Sequence, residues 1–430
     1  MERTHIKNLK TKVGETVIVK GFVHAIRDQG GIKFLLIRDV TGIIQVVVLK
    51  SESEAFELVK ELTLESVVSI EGRVKEEKQA PDGFELQALK ISILSKADPE
   101  LPIPVVIEKG GEEPEVTKRF DWRWIDLRRS ERQEIFKIWT ELEAGFRDYY
   151  EKNGFFQIYA PSFMSSPSES GADVFEVNYF DRKAYLAQSP QFYKQMAMAA
   201  GFEKVFMTGP VFRAEPSFTT RHMTEFTGWD FEISYIDSHY DVMKVEEELI
   251  ISGFNRLNEK LDLGLEIPVI PFPKVSMAEA KEMLKQAGIE GERELDLSPE
   301  EERELSRIVK EKYNHDFIFV TAYPSAVRPF YHMRDDSAES LTKSFDLLYK
   351  GIEITTGAQR EHRFDVLERQ AMEKGMDLAS IREYLDFFKY GCPPHGGVGI
   401  GPGRLIMKLL ELPSVKEATF LPRDVKRLKP

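Results

Sequence analysis

The chain has 430 residues, 42% of them hydrophobic and 30% charged, with a formal net charge of −13. That length predicts two or three domains rather than one core, the apolar content excludes a disordered chain, and the acidic balance excludes blanket nucleic-acid binding. No apolar run reaches membrane-span length, "MERTHIKNLK" has no hydrophobic signal core, and the lone Cys392 excludes an intrachain disulfide or a zinc–thiolate cluster, so a soluble, cytoplasmic protein is expected. The charge is uneven. The first 105 residues carry 15 Lys+Arg against 16 Asp+Glu and are nearly neutral, which leaves room for a local basic face there.

In chain order, "TVIVKGFVHAIRD", "IKFLLIRDV" and "IIQVVVLK" read as strands, separated by turns at Gln29-Gly30-Gly31 and Thr41-Gly42. "SESEAFELVKEL" has helical period, and "SVVSIEGRVKEE" and "GFELQALKISIL" follow as two more strands. Three strands, a helix and two strands is the order of an OB-fold, a small barrel that often binds oligonucleotides, and residues 1–96 are assigned to it. Residues 97–118 hold several prolines and a Gly-Gly and read as a linker. Residues 119–430 read as a larger α+β domain. It opens with the amphipathic helix "SERQEIFKIWTELEAGFRDYYEKNG" and the strand "FFQIYAPSF", closed by Pro161, and it contains a helical insertion at about 274–312.

Chemistry concentrates in three stretches. "PVFRAEPSFTTRHMTEFTGWDFE" (210–232) is a strand–loop–strand in which Arg213 and Glu215 alternate onto one face. An arginine fork suits phosphate, and the carboxylate suits an amine; a solvated salt-bridge ladder is the plainer reading of this stretch alone. "KGIEITTGAQREH" places Glu353, Thr356 and Arg360 close together: oxygen ligands suited to Mg²⁺ and a guanidinium suited to a carboxylate. "PPHGGVGIGPGRLIMKLL" is a glycine-rich strand running into a helix that carries Arg404. Alone it is a tight turn with an exposed arginine. The three in this order are more specific.

Together these stretches resemble the class II aminoacyl-tRNA synthetases. "NGFFQIYAP", with Pro161, is similar to the first family motif, "FRAE…TRHMTEF" to the second and "GIGPGRL" to the third. "AYLAQSPQFYKQ", with "FRAE" and "GAQREH", narrows the likeness to aspartyl-tRNA synthetases of the archaeal and eukaryotic type, and the resemblance covers nearly the whole chain. The fold it implies is an OB-fold barrel followed by a catalytic domain whose mostly antiparallel sheet is flanked by helices. The activity it implies is ligation of L-aspartate to tRNA(Asp), and to tRNA(Asn) as well, with ATP as substrate and Mg²⁺ as cofactor. By the same likeness Arg213, Glu353 and Arg404 carry catalysis. Glu169, Gln191, Lys194, Arg213, Asp230, Thr356 and Arg360 bind aspartate, with Lys194 and Arg360 as two cations on its β-carboxylate. Arg213, Glu215, Arg221, His222, Met223, Glu353, Gly401, Pro402, Gly403 and Arg404 bind ATP. Glu353 and Thr356, helped by Asp346, hold the metal.

In the barrel, Phe34 can stack on an unpaired base, and Gln45 and Glu85 can bond base edges. His24 and Pro81 stand where strict relatives carry tryptophan and lysine, so relaxed choice between tRNA(Asp) and tRNA(Asn) is expected. Ser170, Thr355-Thr356, Gly403 and the "EPSF" loop depart from the usual pattern. A homodimer is expected, because the helix carries Ile135, Phe136, Ile138, Trp139, Leu142 and Phe146, more apolar surface than one helix face needs. Cys392 reads as a packed thiol. The alternatives are a discriminating aspartyl enzyme, an asparaginyl-tRNA synthetase, a synthetase-like asparagine synthetase without tRNA, and an OB-fold binding protein with an inactive second domain.

Overall fold

The computed structural model describes all residues except 1, 108–109, 168–173, 217–218, 290 and 292, and the chain divides into two compact units, Met1–Arg132 and Gln133–Pro430. The first is built on β1 (Thr16–Asp28), β2 (Ile32–Asp39), β3 (Gly42–Leu49), α1 (Ser53–Leu58), β4 (Val67–Glu76) and β5 (Phe84–Ser95). These strands close into a barrel in the order β1-β2-β3-β5-β4, the OB arrangement read from the sequence. Alternation drives it: Val17, Val19, Leu35, Ile37, Val46, Val48, Ile70 and Leu86 fill the interior from every second position. The β1–β2 register slips between Val23 and Ala25, so His24 sits on a bulge.

Residues 97–132, read as a linker and the start of the larger domain, fall in the first unit. They include α2 (Val116–Asp121) and α3 (Arg123–Asp126). Two contacts explain the assignment. The Ala97 N–H donates to Ser66 Oγ at 3.1 Å, and Arg128 donates to the buried Glu65 at 3.2 Å; within the segment Ile103, Val105 and Ile125 make a small apolar cluster. Glu65 also takes both arms of Arg38, at 3.0 and 2.8 Å.

The next elements are α4 (Ser130–Lys152), β6 (Phe156–Gln157), β7 (Phe163–Met164), β8 (Glu176–Tyr179), β9 (Arg182–Leu186), α5 (Gln191–Ala199), β10 (Lys204–Phe212), β11 (Glu225–Ser234), α6 (His239–Leu261), β12 (Lys274–Ser276), α7 (Met277–Gln286) and α8 (Pro299–Tyr313). The chain continues through β13 (Phe317–Thr321), β14 (Arg334–Asp335), β15 (Ala338–Thr342), β16 (Ser344–Tyr349), β17 (Ile352–Gln359), α9 (Phe364–Glu373), α10 (Arg382–Lys389), β18 (His395–Ile400) and α11 (Pro402–Leu409). Among the described residues the main sheet has eight strands, ordered β12-β13-β16-β17-β18-β11-β10-β6. It is antiparallel except at its two edges, where β12–β13 and β10–β6 run parallel.

One sheet face is packed by α4 and α6 around Leu142, Phe146, Trp229, Phe231, Leu249 and Ile400. Helices α7 and α8, the expected insertion, cover β12 and β13 at one edge through Leu284, Leu305 and Val320; the segment opens with a strand, because Lys274–Ser276 extends the sheet. Two expectations change. The strand after α4 is two residues long, since only Phe156 and Gln157 pair with β10. The apolar surplus on α4 is not there: Ile135, Ile138, Leu142 and Phe146 are core, and Phe136 and Trp139 pack against it. Exposed aromatic surface lies instead at Phe156, Tyr159, Phe163 and Phe180.

Candidate active site

On the other face of the sheet is a cavity of about 1060 Å³. Its floor follows from strand register. Asp230 on β11 pairs with Gly399 on β18, Gly399 with Thr356 on β17, and Thr356 with Asp346 on β16. Residues directly opposite each other share a face, so these side chains form a row, with Glu232 two residues beyond Asp230. The intervening Trp229, Phe231 and Thr355 turn into the core. Glycine is required in the floor. A Cβ on Gly397 would lie 2.1 Å from the Phe231 carbonyl and 2.2 Å from the Glu232 carboxylate.

Two buried cations stand on this floor. Lys194 of α5 donates to Asp230 at 2.8 Å and to the Val398 carbonyl at 2.9 Å, with Glu232 at 3.5 Å. Arg360, just past β17, donates through Nε to Glu232 at 2.9 Å and through its terminal nitrogens to the Gly397 carbonyl at 2.8 Å and His332 at 2.9 Å. Burial pushes the Glu232 carboxyl up, but Arg360 and Lys194 outweigh it and hold the group below its usual range. The two cations thus face two carboxylates of the protein, and the charge count read from the sequence changes accordingly.

A second cluster lies along the cavity. Arg213 follows the end of β10, 3.8 Å from Glu215 and over the ring of Phe226. Glu353 accepts from Thr356 at 3.2 Å and lies 3.3 Å from Arg404, which also donates to the Glu353 carbonyl at 2.9 Å. Burial raises the Glu353 carboxyl, but Arg404, Arg328 and Arg213 pull it below the usual range. Asp346 goes the other way: burial raises it despite Arg328 at 2.6 Å. Its Oδ1 has no hydrogen-bond partner. Arg221 is held by Glu302 of α8 at 2.6 Å. His222 shares a 2.6 Å hydrogen bond with Thr219; burial, then Arg404, Arg221 and Arg213, lower its pKa to about 4, so it is neutral. Met223, Gly401 and Gly403 line the wall, and Pro402 opens α11.

The cavity lining thus brings together Gln191, Lys194, Arg213, Glu215, Arg221, His222, Met223, Asp230, Glu353, Thr356, Arg360, Gly401, Gly403 and Arg404 of the sequence-based set. Glu169, and Ser170 beside it, lie outside the described residues. Reasoning from sequence missed Glu302, Arg328, His332 and Phe226. Phe226 alone had a signal, one residue beyond Glu225 on a strand opposite Val211. Cys392 is a packed thiol pushed up to about 12, first by burial and then by Glu232.

In the barrel, Phe34 is half-buried on β2, and Gln45 and Glu85 bond each other at 2.9 Å. His24 takes Arg38 on Nδ1 at 2.8 Å, and Pro81 is exposed in a turn closed by Gly83 N–H on the Ala80 carbonyl. Among the described residues no group of three or more His, Cys, Asp and Glu could hold a metal ion, and no helix is long and apolar enough to cross a membrane.

Known proteins share this layout. Residues 115–425 match the family described as tRNA synthetases class II (D, K and N), and residues 17–94 match the OB-fold nucleic acid binding domain. The chain is 44% identical to the aspartate–tRNA(Asp/Asn) ligase of Methanopyrus kandleri, over 97% of this chain and 96% of that protein. It is 40% identical to the aspartate–tRNA(Asp) ligase of Thermococcus kodakarensis over the full length of both. The crystal structure of asparaginyl-tRNA synthetase from Pyrococcus horikoshii with asparaginyl-adenylate superposes with a TM-score of 0.92 at 33% identity, covering all of both chains.

Proposed function

Because the chain belongs to the class II tRNA synthetases and, within them, to the aspartate–tRNA ligase family, we propose that it activates L-aspartate with ATP and transfers it to the 3′ end of tRNA. An oxygen of the aspartate α-carboxylate forms a bond to the α-phosphorus, the bond to the bridging oxygen breaks, and pyrophosphate leaves. A ribose hydroxyl of the terminal adenosine then attacks the aspartyl carbonyl, and AMP leaves. Neither step needs a protein nucleophile, so the residues act by position and charge.

The observation that carries this reading is one cavity lined by the Lys194/Asp230 pair and by Arg360, itself paired with the buried Glu232, beside the Arg213, Glu353 and Arg404 cluster. Lys194 and Arg360 receive the β-carboxylate, while Gln191 and Asp230, with Glu169, receive the α-ammonium. Arg213 bridges the α-phosphate and the substrate carboxylate; Glu215 and residues 221–223 hold adenine and the triphosphate; Arg404 packs on adenine beside Gly401, Pro402 and Gly403. The donor set fits Mg²⁺: Glu353 and Thr356 offer hard oxygens, and Asp346 keeps an unpartnered carboxylate oxygen nearby. Bound there, the ion would neutralise phosphate charge.

The tRNA choice is relaxed. On the bulge Arg38 fixes the His24 ring through Nδ1, leaving the Nε2–H as its one donor, and Pro81 offers no N–H in the β4–β5 turn, so fewer base-specific contacts are available to separate the third anticodon bases C and U. Phe34 stacks without base preference, and Gln45 and Glu85, already bonded to each other, add little discrimination. The name of the Methanopyrus relative supports this choice. The exposed aromatics at Phe156, Tyr159, Phe163 and Phe180 support a homodimer, which light scattering tests; the enzyme works in the cytoplasm.

Pyrophosphate exchange with aspartate and with asparagine, then charging of tRNA(Asp) and tRNA(Asn), tests the rest. Exchange with asparagine alone would overturn the substrate. A preference for tRNA(Asp) above roughly a hundredfold, about 2.7 kcal/mol, would overturn relaxed choice.

A further inference from the structure

Behind Gln191 runs a buried chain of hydrogen bonds whose direction can be read end to end. It starts at His395, where Nδ1 lies 2.8 Å from the Pro393 carbonyl. A carbonyl only accepts, so Nδ1 carries the proton. Burial lowers the His395 pKa to about 4, so the ring is neutral and Nε2 is an acceptor. Nε2 therefore takes a hydrogen from Gln195 Nε2 at 3.0 Å. That sets the Gln195 amide, leaving its Oε1 to accept from Tyr384 Oη at 2.9 Å and from Gln191 Nε2 at 2.9 Å. Gln191 has then committed one N–H of its NH₂ group to Gln195, one helical turn along α5, which fixes the amide's orientation. With Nε2 anchored on Gln195, Oε1 is the polar atom of this cavity-lining side chain that takes no part in the chain of bonds, and it is an acceptor.

The reverse direction fails at its origin. It would need Nε2 protonated and Nδ1 bare, with the Nδ1 lone pair set against the Pro393 oxygen at 2.8 Å and only the weak Cys392 thiol, 3.6 Å away, to donate to it. Every member is buried: Gln191 is 4% exposed, and Gln195 and His395 are fully enclosed. Tyr384 is fixed by stacking on Phe192 at 3.9 Å between ring centroids.

We propose that His395, Gln195 and Tyr384 are positioning residues that lock Gln191 with its carbonyl oxygen toward the substrate, so that the cavity selects an amino acid's ammonium group over a group that cannot donate. A flipped Gln191 would present NH₂ and repel the ammonium. The proposal rests on the aspartate reading above. It also joins two substrate handles, because the His395 carbonyl accepts the Arg360 backbone N–H at 2.8 Å.

Gln195→Met fills the same space without an acceptor, whereas Gln195→Glu keeps one for Tyr384 and Gln191, its second oxygen accepting from a His395 that the new carboxylate holds protonated on both nitrogens. In pyrophosphate exchange, Q195M raises KM for aspartate roughly tenfold or more, the size of one charge-assisted hydrogen bond. KM for ATP stays unchanged, and so does the inhibition constant of succinate, which lacks the amine. Q195E keeps KM for aspartate close to wild type. No loss in Q195M, equal losses in the two variants, or a parallel weakening of succinate would each overturn the proposal. Nitrogen-15 NMR of the wild-type histidines gives a reading free of folding effects: His395 must carry its proton on Nδ1, and a proton on Nε2 overturns the relay. Wild-type enzyme that activates no aspartate would sink the substrate assignment, while the NMR result would still decide the direction of the relay.

Discussion

Arg360 is at once a wall of the cavity and the ion-pair partner of the fully buried Glu232. Arg360→Leu removes both roles and leaves Glu232 with Lys194, at 3.5 Å, as its nearby cation. Breaking one side of a buried pair costs about 3–5 kcal/mol. The expected outcome is a lowered Tm together with loss of aspartate-dependent pyrophosphate exchange, while ATP binding persists. Adding Glu232→Gln removes the stranded charge, so the double variant regains much of the stability and none of the exchange. Calorimetry and exchange on the two proteins check this; a double variant that recovers exchange would mean the β-carboxylate is bound elsewhere. Arg360 and Lys194 were legible in the sequence through the motifs around them. Asp230 was legible in the same way, but Glu232 and the pairing of these carboxylates with the two cations were not, because period-two alternation puts Asp230 and Glu232 on one face without saying what each meets there.

Strand β18 does its work by lacking side chains. The Gly397 position has the Phe231 carbonyl and Glu232 within 2.2 Å of a built Cβ, whereas at Gly399 the nearest atom is Asp230 Oδ2 at 3.3 Å. Gly397→Ala is therefore expected to disturb the sheet and lose stability and activity together. Gly399→Ala folds and raises KM for aspartate, because its methyl group crowds the carboxylate that Lys194 holds; Tm and exchange kinetics of the pair distinguish these outcomes. Helix α8 acts from the sheet edge. Its Glu302 holds Arg221 at 2.6 Å and accepts the Glu353 N–H at 3.3 Å. Glu302→Ala frees Arg221, and KM for ATP is expected to rise about tenfold with KM for aspartate unmoved. This role was invisible in the sequence. "SPEEERELSRIVKEKY" is amphipathic and well capped, Ser298 and Glu301 forming a capping box, and nothing in such a pattern says which acid meets the site across 81 residues. The barrel strands, by contrast, were legible almost to the residue, since alternation inside a closed barrel is a local signal. The short β6 was not, because its length is decided by how far β10 runs beside it.

Across the whole molecule, the buried titratable groups give opposite pH trends that set a stability optimum. His239 and His395 are lowered to about 4, and His332 well below 6.5, in each case chiefly by burial. His222 is lowered in the same way to about 4. Below pH 6.5 the unfolded chain takes up protons on these four that the folded chain refuses. Their contribution is complete above pH 6.5 and is lost as the pH falls toward 4, at up to about 1.4 kcal/mol per unit for each and less for the partly exposed His222. Glu246 runs the other way. Burial pushes it up to about 8, its Oε1 accepts from Thr355, and its Oε2 has no hydrogen-bond partner. The folded chain keeps a proton there that the unfolded chain releases above pH 4.5, so this contribution is complete below 4.5 and is lost as the pH rises through 8. Glu247, Glu302 and Asp346 are raised in the same sense. Between pH 6.5 and 8 the histidines no longer change, and the raised carboxyls alone make stability fall. Between pH 4.5 and 6.5 the two sets oppose each other, so urea midpoints are expected to form a broad maximum in that window and to decline on both sides of it. Glu246→Gln keeps a neutral side chain and the hydrogen bond to Thr355 at every pH, so the alkaline decline flattens while the acid limb stays. An unchanged alkaline limb in that variant would show that Glu246 is already ionised at neutral pH and that the unpartnered oxygen beneath the sheet is solvated.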